Sequence, residues 1–211
     1  MLTQVELTVH PAYPITVDTP PVRVDVPDWL PGVPDEVDIP SRRYRVSYLG
    51  HAGILFFSSQ GESKYYEYGR YDRAAIGLVR RQEVPNLRIT ANGKPTLTSL
   101  NLVLNRISIT AGHRGHIVGS YIELAHGAFN RMLAYATRRM SDNINPNRIP
   151  YDLTSNSCIH FMTTVAKIGG ARMPHIIDPR PAGYIDRVRY DHPDLDFNLG
   201  SNVAIEGIHL R

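Results

Sequence analysis

The stretch YDLTSNSCIHFM, residues 151–162, organises the interpretation of the whole chain, because a polar loop there runs into an apolar helical pattern. The three residues at 155–157 are Ser, Asn and Ser, which are all favourable at a helix N-cap. Apolar residues then recur at helical spacing until two glycines end the run: Ile159, Met162, Val165, Ala166, Gly169 and Gly170. The pattern predicts a helix over about residues 157–169, with Cys158 in its first turn.

Cys158 is the only cysteine of the chain, and its predicted position favours a reactive thiol. The positive end of the helix dipole and the unpaired N–H groups of the first turn both stabilise thiolate, which is the nucleophilic form. The alternative is a small buried core residue. We interpret Cys158 as a nucleophile, and a nucleophilic cysteine needs a base within hydrogen-bond distance.

Composition excludes several classes of protein. The 211 residues suffice for one domain with its own core, and 42% hydrophobic residues are typical of a globular chain. A net charge of +3, without basic residues interleaved with aromatics, gives no reason to expect nucleic-acid binding. One cysteine excludes an intramolecular disulfide framework. The N-terminal sequence contains neither a signal peptide nor a transmembrane pattern, so we expect no membrane insertion and no general secretory route.

The chain divides into two regions at residue 43. Residues 1–42 contain half of the 16 prolines, and the alternation at residues 22–26 suggests one edge strand. We predict a Pro-rich arm, residues 1–43, packed on a domain formed by residues 44–211. Within the domain we predict a hairpin of strands 44–57 and 64–68, a turn at Asn92-Gly93 between residues 87–90 and the segment that begins at residue 95, a strand at 102–110, a helix at 123–140 and a short strand around 184–190. This order indicates an α+β fold with helices segregated from an antiparallel sheet.

His51 and Glu67 are the predicted base and the group that orients it. Small residues flank His51 in LGHAGI, residues 49–54, and leave room for a helix end and a substrate. Glu67 lies in an aromatic strand, where an unpaired carboxylate is costly. If residues 58–60 form the hairpin loop, position 51 lies opposite position 67, and a register differing by two residues keeps both on one face. The alternatives are a His51 satisfied by a backbone carbonyl and a Glu67 paired with Lys64 or Arg70.

Three motifs in this order resemble a known group of enzymes: GHAG at residues 50–53, YYEYGRYD at 65–72 and YDL…NSC at 151–158. They are similar to the circularly permuted NlpC-type papain-like cysteine hydrolases, in which the histidine precedes the cysteine. The likeness covers residues 44–170 and is more specific to bacterial type VI secretion effectors of that branch. It implies a permuted papain-like fold, with Cys158 as nucleophile and His51 as base. Glu67 stands where an amide or histidine is often found, so Asp72 or a backbone carbonyl remains an alternative third group.

The resemblance also implies a function. It predicts acyl transfer without a cofactor, acting on amide bonds of peptidoglycan peptides as an amidase or endopeptidase. It further implies delivery by a type VI apparatus, action in the periplasm of a target cell, and a cognate immunity protein. The alternatives are a hydrolase or transferase acting on lipid esters or protein glutamine, and a catalytically inactive binding module.

Other residues have weaker assignments. Tyr48 and Tyr151 are predicted pocket walls or hydrogen-bond donors, and His113 lies in a Gly-rich loop with a substrate-contacting or structural role. His113 and His116 could in principle join Cys158 and His160 around zinc, but they lack an acidic partner, and we expect no metal. His160 is a poor base because it points away across the helix. The tyrosines at 65–71 are either a carbohydrate-stacking surface or part of the β core.

Overall fold

The structure is a computed structural model that describes residues 50–71 and 76–205, together with the backbone of five earlier strands. These strands are β1 (Thr3–His10), β2 (Ile15–Thr19), β3 (Val22–Asp25), β4 (Glu36–Ile39) and β5 (Arg42–Val46). Tyr48 and Asp72 both lie outside the described residues.

A seven-stranded antiparallel sheet forms the centre of the fold. It contains β1 and six strands that come later in the chain: β6 (His51–Phe57), β7 (Ser63–Gly69), β8 (Leu78–Gln82), β9 (Ile117–Leu124), β10 (Asp194–Phe197) and β11 (Ala204–Ile205). The order of the strands across the sheet is β11-β10-β9-β1-β6-β7-β8. The helices are α1 (Leu97–Thr110), α2 (Ala128–Ser141), α3 (Cys158–Gly169) and α4 (Pro181–Asp191). The predicted α+β class with an antiparallel sheet is confirmed.

Both faces of the sheet are covered, so β6 is buried along its whole length. Ile54 and Phe56 pack with α2, α3 and α4 in one cluster, while Leu55 and Phe57 pack with α1 in another. This division follows from the alternation of side chains along a strand. Strand β6 therefore gives His51, its first residue, a fixed backbone.

The first strand of the chain is central to the sheet. β1 pairs with β6 on one side and with β9 on the other. The expectation of one strand in the first 43 residues is wrong: β3 forms near the predicted position and pairs with β4, but β1 was missed. Val5, Leu7 and Val9 alternate with polar residues there, which is a strand pattern. The boundary at residue 43 itself stays a prediction.

Two predicted strands are helices. The segment at 102–110 belongs to α1, where Leu100, Leu104 and Ile107 are buried at helical spacing. The segment at 184–190 belongs to α4, which has proline in its first turn and buries Tyr184, Ile185 and Val188. Both segments contain β-branched or aromatic residues, which favour a strand. Their buried positions nevertheless follow the spacing of a helix, and packing against the sheet stabilises the helix. The helix predicted from residue 123 begins at Ala128, because residues 117–124 form β9.

The hairpin exists with a longer loop than predicted. Phe57 pairs with Ser63, so residues 58–62 form the loop, and Gly53 pairs with Glu67. Gly61 has a φ of 88°, a left-handed conformation that favours glycine. His51 is therefore a diagonal rather than a direct neighbour of Glu67, on the same face. The predicted 44–57 strand is also interrupted, since β5 ends at Val46 and β6 begins at His51.

The edge strand β8 is tied to the segment that leads to Cys158. The Asn143 side-chain amide accepts from the Val79 N–H at 3.0 Å and donates to the Val79 carbonyl at 2.8 Å, as a further strand would. Arg148 Nε donates to the carbonyl of Gly77 at 2.9 Å. These bonds fix residues 143–151 against the sheet and so help to position α3.

None of the helices in the described part of the chain has both the length and the apolar content of a membrane span; α1 and α2 have 14 residues each.

Candidate active site

Cys158 occupies the first position of α3, as predicted, and Ser157 is the N-cap. The Ser157 N–H donates to Nδ1 of His160 at 3.3 Å, and the Ser157 hydroxyl lies 2.9 Å from the same nitrogen. Burial lowers the pKa of His160, which favours the neutral ring needed to accept these bonds. His160 thus caps the helix.

The loop before α3 is held by Asp152 and Asn156. Oδ1 of Asp152 accepts from the backbone and hydroxyl groups of Thr154 and Ser155 at 2.6–2.9 Å. These bonds hold the pKa of Asp152 at about 2. The Asn156 amide donates to the carbonyls of Ile149 and Pro150 at 3.0 and 2.8 Å. The loop therefore has a defined shape before the helix begins.

This loop brings Tyr151 against the thiol. The Tyr151 hydroxyl lies 3.8 Å from Sγ of Cys158, and its ring packs at a tilt on Tyr68, with the centroids 5.4 Å apart. Burial first, and then the negative charge of Cys158, raise the pKa of Tyr151. Its hydroxyl therefore stays protonated and can donate a hydrogen bond. Of the predicted substrate contacts, Tyr151 is the one described beside the nucleophile.

His51 and Glu67 meet across the hairpin. Nε2 of His51 lies 3.2 Å from Oε2 of Glu67, and the two residues are 4% and 2% exposed. The other carboxylate oxygen, Oε1, accepts from Nε2 of Gln82 at 3.2 Å. Glu67 thus contacts His51, the partner proposed for it from the sequence, and also Gln82, which was not expected. Gln82 was missed because its contact depends on how β8 pairs with β7.

Tyr71 is a second partner of His51 that the sequence did not reveal. Its hydroxyl lies 2.7 Å from Nε2 of His51, and its ring stands edge-on to the imidazole. The guanidinium of Arg80 lies 3.8 Å from the centre of the Tyr71 ring. Two oxygen atoms thus face Nε2, which leaves Nδ1 as the nitrogen suited to exchange a proton with Cys158.

The pKa values of Cys158 and His51 shift in opposite senses. Burial alone would raise the pKa of Cys158, but the hydrogen bond and charge of His51, the Ala52 N–H and the Tyr151 hydroxyl lower it. Burial alone would lower the pKa of His51, but hydrogen bonds to Cys158 and Glu67 and their charges raise it from 6.5 to about 10. The pair therefore favours a thiolate beside an imidazolium.

His113 lies in the turn between α1 and β9, with an exposed side chain and a φ of 52°. Val118 and Ala52 both pair with Val9, so this turn and His51 are at the same end of the sheet. Two strand spacings, about 10 Å, separate Ala52 on β6 from Val118 on β9. A substrate contact by His113 stays a prediction.

His116 belongs to a different pair. Its Nε2 lies 2.7 Å from Oδ1 of Asp196 on the neighbouring strand β10. Within residues 50–71 and 76–205, no three His, Cys, Asp or Glu side chains are grouped in a way that could hold a metal ion.

Comparison with known proteins gives two matches. A family model described as "Type VI secretion system effector TseH-like" matches residues 12–171, a range that includes Cys158, His51 and Glu67. The crystal structure of the type VI secretion system effector TseH is similar over 97% of each chain, with a TM-score of 0.72 and 27% sequence identity. No protein of curated function matched the sequence.

Proposed function

We propose that this chain, which belongs to the family of TseH-like type VI secretion system effectors, is a cysteine hydrolase that cleaves amide bonds. The observation that carries the proposal is the buried thiol of Cys158 at the first position of α3, with the His51 imidazole hydrogen-bonded to it and the Glu67 carboxylate in contact with the same ring. A buried thiol at a helix N-terminus has a lowered pKa, and the imidazole beside it has a raised one. Such a pairing is costly to bury and is common where a thiol acts as a nucleophile.

The proposed reaction is acyl transfer in two steps. The Cys158 thiolate attacks the carbonyl carbon of an amide, and the imidazolium of His51 gives its proton to the leaving amine. Neutral His51 then takes a proton from water as the water oxygen attacks the thioester carbonyl carbon, and cleavage of the C–S bond releases the acid and restores the Cys158 thiolate beside the imidazolium. The backbone N–H of Cys158 and the Tyr151 hydroxyl are the donors suited to the oxyanion.

Glu67 is the proposed orienting group. Its 3.2 Å contact with Nε2 of His51 fixes the ring so that Nδ1 serves the thiol, and Gln82 fixes the carboxylate in turn. Tyr71 supports the same nitrogen from a second direction. Because Nε2 of His51 already contacts the Glu67 carboxylate and the Tyr71 hydroxyl, Glu67 is a better candidate than a backbone carbonyl for the group that orients His51.

The order of these elements supports a permuted papain-like fold. The base lies on a strand of an antiparallel sheet, its carboxylate on the next strand, and the nucleophile follows about ninety residues later at the start of a helix. In ordinary papain-like enzymes the nucleophile comes first. The likeness to an effector structure over nearly the whole chain is compatible with this assignment.

Peptidoglycan peptide is the proposed substrate, cut as an amidase or endopeptidase. Membership of the effector family supports an antibacterial role, with delivery by a type VI apparatus. We infer from this role that the protein acts in the periplasm of the target cell and that its producer carries an immunity protein.

The test is digestion of purified peptidoglycan sacculi by the wild type and by Cys158→Ala, with mass spectrometry of the released fragments. Release by the wild type alone would support the hydrolase, and the fragment masses would identify the bond. Absence of release by either protein would remove peptidoglycan as the substrate and favour lipid esters or protein glutamines. If, in addition, Cys158 does not react with iodoacetamide, a catalytically inactive binding module would be favoured.

A further inference from the structure

The hydroxyl of Tyr151 reaches the thiol from a residue that is fixed at two points. It lies 3.8 Å from Sγ of Cys158. The Tyr151 backbone N–H donates to the Ile76 carbonyl at 2.6 Å, and the Tyr151 ring packs on the ring of Tyr68 with the centroids 5.4 Å apart. A tyrosine ring can turn about its χ angles, so the hydroxyl stays at the thiol only while the backbone and the ring are both held.

Asn156 contacts both the backbone that leads into Tyr151 and the ring on which Tyr151 packs. Its side-chain amide donates to the carbonyls of Ile149 and Pro150, the two residues before Tyr151, at 3.0 and 2.8 Å. The same nitrogen donates to the Tyr68 hydroxyl at 3.1 Å. Three acceptors thus share the two N–H groups of one amide, and this amide connects the two supports of Tyr151.

The backbone of Asn156 is fixed as well. Its N–H donates to the Asp152 carbonyl at 2.9 Å, and its carbonyl accepts from the Asp152 N–H at 3.1 Å. Residues 152–156 therefore form a closed turn, with Tyr151 directly before it and Cys158 two positions after it. Asn156 is thus tied at close range to both Tyr151 and the start of α3.

We propose that Asn156 is a positioning residue, which holds the Tyr151 hydroxyl against Sγ of Cys158. The inference rests on the proposed function and adds to it a donor that is fixed before the reaction begins. Held in this way, the hydroxyl donates to the thiolate before attack and is in place for the oxyanion afterwards. A donor that is already in place does not have to reorganise as charge develops on the substrate.

The test is the rate of iodoacetamide alkylation of Cys158 as a function of pH in Tyr151→Phe, Asn156→Ala and the double variant. The hydrogen bond from Tyr151 is one of the contacts that lower the pKa of Cys158. Tyr151→Phe should therefore move the acid limb of the profile to higher pH by about one unit, since a hydrogen bond to a charged group changes a protonation equilibrium roughly tenfold or more. Asn156→Ala should move the limb in the same direction, and by no more than Tyr151→Phe does.

The double variant decides whether Asn156 acts through Tyr151. If it does, Asn156→Ala has no further effect once the hydroxyl is absent, so the double variant should match Tyr151→Phe. Asn101→Ala is the matched control and should leave the profile unchanged, because the Asn101 amide also makes two hydrogen bonds, to Asn202 and Val203, but lies on α1 at the opposite face of the sheet. Asn156→Ser is the second variant if Asn156→Ala does not fold, since serine suits a turn but is shorter than asparagine.

Three results would refute the positioning role and leave the hydrolase proposal intact. They are a wild-type profile in Tyr151→Phe or in the folded Asn156 variant, shifts of the two single variants that add in the double variant, and an equal shift in Asn101→Ala, which would attribute the effect to lost stability. Slow alkylation of the wild type at mildly acidic pH would instead contradict the activated thiol, and with it both proposals. Thermal melts check that each variant is folded.

Discussion

Replacing Glu67 by glutamine removes the negative charge beside His51 and retains the size and polarity of the side chain. The contact with Nε2 is 3.2 Å long and both residues are buried, so it is a charge-assisted hydrogen bond shielded from water. Bonds of this type contribute about 1.5–3 kcal/mol. Since 1.36 kcal/mol is tenfold in a protonation equilibrium, the imidazolium should become about ten- to hundredfold less favoured.

The sign of the effect follows from the coupling of the two groups. Glu67 raises the pKa of His51, and the charged His51 lowers the pKa of Cys158. With the carboxylate gone, the pKa of His51 falls and that of Cys158 rises. The Glu67→Gln variant should therefore hold less thiolate at pH 6 than the wild type, and the acid limb of its reactivity profile should move to higher pH.

The assay is the rate of iodoacetamide alkylation of Cys158 from pH 5 to 9, followed by intact mass. Glu62→Gln is the matched control, because Glu62 lies on the same hairpin but pairs with Lys64 on the surface. Surface pairs of this kind contribute little, and we expect no change. Identical pH profiles for the wild type and Glu67→Gln, with both proteins folded, would refute the orienting role of Glu67.

Three further changes test other contacts. Tyr71→Phe removes the hydroxyl 2.7 Å from Nε2 of His51, a hydrogen bond that contributes about 1 kcal/mol. The pH profile of alkylation should therefore move in the same direction as for Glu67→Gln, but by less. A larger shift than for Glu67→Gln would make Tyr71, rather than Glu67, the main orienting group. Asn143→Ala removes the two hydrogen bonds that the Asn143 side chain makes with the Val79 backbone. It should lower the free energy of unfolding, measured by urea titration, by about 1–3 kcal/mol. The control is Asn147→Ala, an exposed position in the same segment, which should change that free energy by less than about 0.5 kcal/mol. Gly61→Ala places a methyl group against the Leu87 carbonyl, at a residue with positive φ. Gly93 also has positive φ but open space around it, so Gly93→Ala should lower the free energy of unfolding by only about 1 kcal/mol, and Gly61→Ala by clearly more. Equal losses of stability in the two variants would show that the loop adapts to the methyl group.

Strand parity explains why the site was partly predictable. Because side chains alternate with a period of two, His51 and Glu67 share a face in the predicted register and in the observed one, which differ by two residues. The start of α3 was predictable because capping residues and apolar spacing agree there. Tyr71 and Gln82 were not, since their contacts depend on the chain beyond β7 and on the pairing of β8, which no local pattern determines.

The errors have a common physical origin. In α1 and α4, strand-favouring side chains occur in segments whose buried positions follow a helical period, and packing on the sheet decides between the two. In the first ten residues the alternation of apolar and polar side chains matches the observed strand, whereas the prolines that follow at 11 and 14 favour an extended arm. Local composition thus misled where it disagreed with periodicity.

The central position of β1 has a consequence for the order of folding. Its two neighbours in the sheet lie far along the chain: Leu7 pairs with Ile54 and with Ser120. Both loop closures must take place before the sheet is continuous, and such non-local pairing slows folding. During synthesis the hairpin of β6 and β7 emerges long before β9. Until β9 has emerged, the edge of β1 that pairs with β9 is therefore unpaired. A chain lacking residues 3–10 would be left with two three-stranded sheets, and the one holding His51 and Glu67 would have a bare edge beside its most buried strand, exposed to pairing with other chains.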